Sequence, residues 1–87
     1  MPRGPLKKND KPTSPAKPAP RERLVFARNF KAARKAAGLT QHDIRQKTGI
    51  AQDFISEVEN GRSTLSLDNA AKLAAVVRIP LWKLLVP

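Results

Sequence analysis

Gly49 stands between two short runs that each read as a helix, and this limits the chain to few folds. On its N-terminal side Thr40 is a good N-cap, and Asp43 three residues on can answer it in a weak capping box. Ile44 is the one large apolar residue of that run. Gly49 then sits where a tight turn needs positive φ, and Ile50 follows as an apolar plug. From Gln52 a second helical pattern starts, with Ile55 and Val58 pointing inward at i and i+3. Gly61 holds the position that a helix C-terminus favours for glycine. The stretch 40–60 therefore reads as two short helices meeting at a turn.

The remaining elements are helical as well. A first helix is predicted to begin at Arg21 or Glu22, just after Pro20. Phe26, Phe30, Ala33 and Ala37 recur at i, i+4, i+7 and i+11 and make one apolar stripe. Gly38 closes that helix, and Leu39 folds back into the core. After Gly61 comes a loop, Arg62 to Leu65, and then Ser66 as the N-cap of a fourth helix with Asp68 in its first turn. Leu67, Ala70, Leu73, Ala74 and Val77 form its expected buried face. Pro80 presets a short fifth helix, Leu81 to Val86. Leu81 and Leu84 are expected to close the core, with Trp82 and Leu85 left outside. No strand signal and no internal repeat appears, so the class is all-α, with one small domain over 21–87.

Residues 1–20 differ in kind. They hold six of the eight prolines, five of the basic residues and only Leu6 as a large apolar side chain. Such a segment cannot bury enough surface to offset its ordering entropy, so it reads as a disordered or polyproline-like basic arm. Both an arm that touches a polyanion and a solvated tail fit that composition. The formal charge of the whole chain is +10, of which +4 lies in the arm and +6 in the rest. This balance favours a polyanionic partner, nucleic acid or an anionic membrane surface. The chain has no cysteine, so neither a disulfide framework nor a thiolate metal site is expected. Nothing resembles a signal peptide or a membrane span. His42 is the only histidine and falls on an exposed face of the second helix. No phosphate-cradling loop and no nucleophile with an orienting base is present, so the expectation is no enzyme, no catalytic residue, no metal and no cofactor.

The frame GLTQ…TGI.Q..IS.VENGR…L..AAKLA, within Leu24 to Leu85, resembles the Xre/Cro family, the DNA-binding domains of the phage lambda and 434 repressors. The resemblance implies a five-helix lambda-repressor-like domain, with 40–60 as its helix-turn-helix. It also implies a sequence-specific DNA-binding transcriptional regulator, a repressor that binds a palindromic operator in double-stranded DNA as a homodimer. Such a protein works in the cytoplasm and joins the nucleoid when bound. By position in this frame Gln52, Asp53, Ser56 and Glu57 face base edges, and Gln52 can pair with adenine N6 and N7. Gln41, Asn60, Arg62 and Ser63 are expected on the DNA backbone. Arg34 and Glu59 match a buried ion pair that ties helix 1 to the end of helix 3. Trp82 and Leu85 match a dimer contact.

The chain departs from the family pattern at several places. Asp53 and Glu57 are acidic where the resembled repressors carry neutral residues; a carboxylate can accept from cytosine N4, or the face can meet a protein. Arg45 replaces a small alanine and must snorkel outward. Ala51 stands where a serine or threonine cap is usual, and Arg78 where the family ends a helix with glycine. The alternative reading is a protein-interaction module of the same fold, such as the antitoxin of a toxin–antitoxin pair or a coactivator bridging factor. Deletion of residues 1–20 is expected to leave the melting temperature within error while weakening DNA binding and flattening its salt dependence.

Overall fold

The computed structural model describes residues 19–87, so most of the expected arm lies outside the described residues. Five helices follow one another and no strand occurs among them: α1 (Arg21–Ala36), α2 (Gln41–Thr48), α3 (Gln52–Glu59), α4 (Leu67–Val76) and α5 (Leu81–Leu84). None of these helices is long and apolar enough to cross a membrane.

Each of the first four helices sends one large side chain to full burial: Phe30, Ile44, Ile55 and Leu73. Phe26, Val58, Ala70, Ala74, Val77 and Leu84 complete the buried cluster. The rings of Phe26 and Phe30 lie nearly parallel, with centroids 5.8 Å apart. Burying a side chain of this size contributes about 1.5–3 kcal/mol, so a handful of them carries a domain this small. α2 packs on α3 and α4, α1 packs on α3 and α5, and α4 packs on α5. α3 is thus held between α1 and α2 by Ile55 and Val58, and its opposite face stays in solvent.

The helix ends are built from local hydrogen bonds. The Thr40 hydroxyl accepts from the Asp43 amide at 3.0 Å, and the Thr40 amide donates to the Asp43 carboxylate at 2.9 Å, a complete capping box. The bonds from Thr40 hold the Asp43 carboxyl below the usual carboxylate range. Its contribution to stability is therefore present above the ordinary aspartate pKa and is lost as pH falls through the lowered value. α3 starts at Ala51 with no side-chain cap. Helices α1, α3 and α4 end in the same paired motif, in which two amides reach back past a left-handed residue. In α3 the Gly61 amide donates to the Val58 carbonyl at 3.0 Å and the Arg62 amide to the Glu57 carbonyl at 2.9 Å. A Cβ on Gly61 would stand 2.7 Å from the Leu24 side chain, and φ there is 71°, so the position favours glycine.

Four details correct the sequence expectation. Ala37 is exposed, because α1 stops at Ala36 and the inward position at its end belongs to Arg34. Val25 and Ala27 are buried as well, since α1 packs on two neighbours and its buried face is wider than one stripe. Leu67 is 76% exposed. It is the first residue of α4, where a side chain tilts beyond the helix end, here over an open groove. α5 ends at Leu84 rather than Val86. Asn29 on α1 donates to the Leu84 and Val86 carbonyls at 3.0 and 2.8 Å, and so takes over acceptors at the helix end and in the following tail.

Arg78 has φ 60° and closes α4 through the same two-amide motif that glycine serves in α1 and α3. A side chain in that region costs about 1–2 kcal/mol, part of which glycine returns through the entropy of its unfolded chain. Arg78→Gly is therefore expected to stabilise the domain by about 0.5–1 kcal/mol in denaturant titration.

Candidate nucleic-acid interface

The Arg34 guanidinium lies on the Glu59 carboxylate through two bonds, Nε to Oε2 at 2.6 Å and Nη2 to Oε1 at 2.9 Å. Both residues are buried, at 8% and 7% exposure. Nη1 also donates to the Leu39 carbonyl at 2.9 Å, and the Gln41 amide donates to Glu59 Oε1 at 3.1 Å. These few bonds join the end of α1, the turn after it, the start of α2 and the end of α3. The bond to Glu59 raises the Arg34 pKa above its ordinary value, so the guanidinium keeps its proton. A planar bidentate fork sets orientation as well as distance, which lysine could not do.

On α3, Gln52, Asp53 and Glu57 are exposed and Ser56 is half-buried. These four residues, singled out as base-facing, share the side opposite Ile55 and Val58. Phe54 is partly buried against the core, so the apolar face is wider than the i, i+3 spacing conveys. The turn before α3 is braced by Thr48, a residue the motif reading passed over. Its hydroxyl donates to the Ile44 carbonyl at 2.8 Å and accepts from the Ile50 amide at 3.1 Å. A threonine directly before the turn glycine is the local signal that could have found it. Gly49 itself is left-handed, with φ 76°. Arg45 is exposed, as its outward course requires.

The residues assigned to the DNA backbone have partners within the chain. Gln41 gives one amide hydrogen to Glu59 and keeps one. The Asn60 side chain donates to the Ser56 carbonyl at 2.9 Å. The Ser63 hydroxyl donates to Glu57 Oε1 at 2.7 Å. A serine hydroxyl has a single hydrogen to donate, so in this arrangement Ser63 has none for a phosphate oxygen. Arg62 is exposed, and its guanidinium makes no hydrogen bond among the described residues.

This geometry is two helices, α2 and α3, set at a left-handed glycine, with α3 clamped at its far end and open at its near end. The helix-turn-helix model of the HTH_3 family matches residues 30–81. The chain belongs to this helix-turn-helix family. A hypothetical transcription factor from Neisseria meningitidis serogroup B is 31% identical over 65 residues, and the chain spans 61% of that relative's length and matches it over 75% of its own. In solved structures, the hypothetical transcription factor NHTF from Neisseria superposes with a TM-score of 0.72 at 30% identity, covering 86% of this chain and 88% of the other. The restriction-modification controller protein C.AhdI from Aeromonas hydrophila superposes at 0.67 and 29% identity, covering 71% and 94%. The HTH_3 family is a DNA-binding class and not an enzyme class.

Away from α3, His42 is exposed and lies 3.3 Å from the Gln46 amide on the same helix. Trp82 is 63% exposed, with Lys83 Nζ 5.7 Å from its ring centroid, and Leu85 is 38% exposed. Leu85 also borders an open groove of about 320 Å³ walled by Phe26, Leu65, Leu67 and Leu81. Asn29, which fixes the course of this segment, was not found from sequence; a polar residue on a helix facing a tail distant in sequence leaves no local signature.

Glu59→Ala is expected to destabilise the domain by roughly 3–5 kcal/mol, because Arg34 would be left buried without its counter-charge. Chemical denaturation measures this, and a loss under about 1 kcal/mol would contradict the clamp.

Proposed function

We propose that this chain is a sequence-specific DNA-binding transcription regulator, with α3 as its recognition helix. One observation carries the reading: α3 is clamped through Glu59 at its C-terminal end while Gln52, Asp53 and Glu57 stand exposed from its first turn onward. In a helix-turn-helix the N-terminal residues of the second helix reach the base edges of the major groove. Membership of the HTH_3 family and the basic charge support the same partner. Gln41, Asn60 and Arg62 flank α3 and would approach the phosphates, Gln41 and Asn60 each through a remaining amide hydrogen.

The finer reading is a repressor that binds a palindromic operator as a homodimer. Trp82 and Leu85 supply the contact between copies, and Leu85 borders the apolar groove under Leu67. An exposed tryptophan, with an exposed leucine that borders an open apolar groove, is the kind of patch that meets a partner. Two such domains would read half-sites about 34 Å apart. In this reading the protein works in the cytoplasm, on the nucleoid when bound.

Titration of cognate and scrambled duplexes at two salt concentrations tests the proposal. Gln52→Ala is expected to lose about 1–3 kcal/mol on the cognate site and little on the scrambled one, since glutamine neutralises no phosphate. Asp53→Asn and Glu57→Gln should raise binding to the scrambled duplex, because each removes a negative charge beside it. If all three variants bind both duplexes like the parent, α3 does not read DNA. The exposed acidic face and the groove would then belong to a protein partner such as a toxin.

A further inference from the structure

The loop after α3 is tied to α3 twice at one residue. The Arg62 amide takes the Glu57 carbonyl at 2.9 Å, and the Ser63 hydroxyl takes Glu57 Oε1 at 2.7 Å. The turn between them runs through Gly61, which is buried and left-handed with φ 71°. The backbone brings Ser63 back against the last turn of α3. Glu57 Oε2 has no hydrogen-bond partner among the described residues, and the side chain is exposed.

We propose that Ser63 is a positioning residue for base discrimination, holding the Glu57 carboxylate so that its other oxygen accepts from cytosine N4. The inference rests on α3 being the recognition helix. An unrestrained glutamate must freeze several rotamers on binding; one already held by a hydroxyl has fewer to lose. A carboxylate only accepts, so it needs a base-edge donor, which in the major groove is cytosine N4 or adenine N6. Adenine presents its N7 acceptor beside N6, which repels the carboxylate, whereas cytosine presents no second acceptor there. Ser63 thereby acts on choice of sequence rather than on overall affinity, because its single hydrogen goes to Glu57 and not to a phosphate.

The experiment is selection from a random duplex pool with the full chain, followed by titration of the selected site and its single-base variants. Parent, Ser63→Ala, Ser63→Thr and Glu57→Gln are compared, with melting temperatures as a folding control. The expected result is a preference for cytosine at one position. Ser63→Ala should weaken that preference about three- to tenfold, the size of one hydrogen bond. Ser63→Thr should restore it, and binding to scrambled duplex should stay unchanged with Ser63→Ala. An equal loss on all duplexes would make Ser63 a backbone contact and overturn the proposal. A silent Ser63→Ala beside a Glu57→Gln that shifts the preference would overturn it while leaving α3 as the reader. A silent Glu57→Gln would overturn it together with the role of Glu57 in reading.

Discussion

The buried ion pair between Arg34 and Glu59 is the constraint on which the rest of the arrangement depends. α2 and α3 are each only eight residues long, too short to be stable helices alone in water. Their relative placement has to come from outside them. Ile44 and Ile55 supply the burial, but apolar contacts are non-directional. The guanidinium adds direction, because its planar fork accepts the carboxylate in one plane while a third nitrogen takes the Leu39 carbonyl. With Gln41 on the same carboxylate, an error in the angle of α3 would break several short bonds together. A clamp of this kind need not add net stability to give a defined geometry; its removal is costly because a buried charge is left behind.

Where the physics is local, the chain could be read directly. The capping box of Thr40 and Asp43, the left-handed Gly49, the missing cap at Ala51 and the left-handed Arg78 each follow from residues a few positions apart, and each is present. The inward residues of α3 and α4 followed from periodicity, apart from Leu67, where periodicity continued past the point at which the core ends. Periodicity says which way a side chain points. It does not say whether anything lies there. The width of the buried face on α1 was missed for a related reason: Val25 and Ala27 are buried beside the stripe, and α1 packs on two helices, α3 and α5.

The candidate site divides in the same way. The exposed positions on α3 were legible, because they are what remains when Ile55 and Val58 turn inward. The partners of Gln41 and Ser63 were not, because hydrogen bonds between side chains depend on loop geometry that spacing does not encode. Ser63 lies six residues beyond Glu57, outside the i+3 and i+4 neighbours of a helix, and it arrives there only through the left-handed turn at Gly61. Asn29 reaches the C-terminal carbonyls across more than fifty positions of sequence.

The charge pattern then has a consistent physical sense. The chain is strongly basic, yet α3 carries Asp53, Glu57 and Glu59 and no basic residue. Arg34 compensates Glu59 internally, so Asp53 and Glu57 are the charges a duplex in contact with α3 would meet. Within a Debye length of about 8–10 Å their repulsion from phosphates is the same for every sequence. Attraction from the basic surface is equally indifferent to sequence. In the proposed reading the two act in opposite senses near α3. In that reading a carboxylate recovers the loss only opposite a base-edge donor, so an acidic recognition helix on a basic chain would raise the ratio of specific to non-specific binding. That ratio, not the affinity alone, determines whether a regulator finds its site among the many competing ones of a genome.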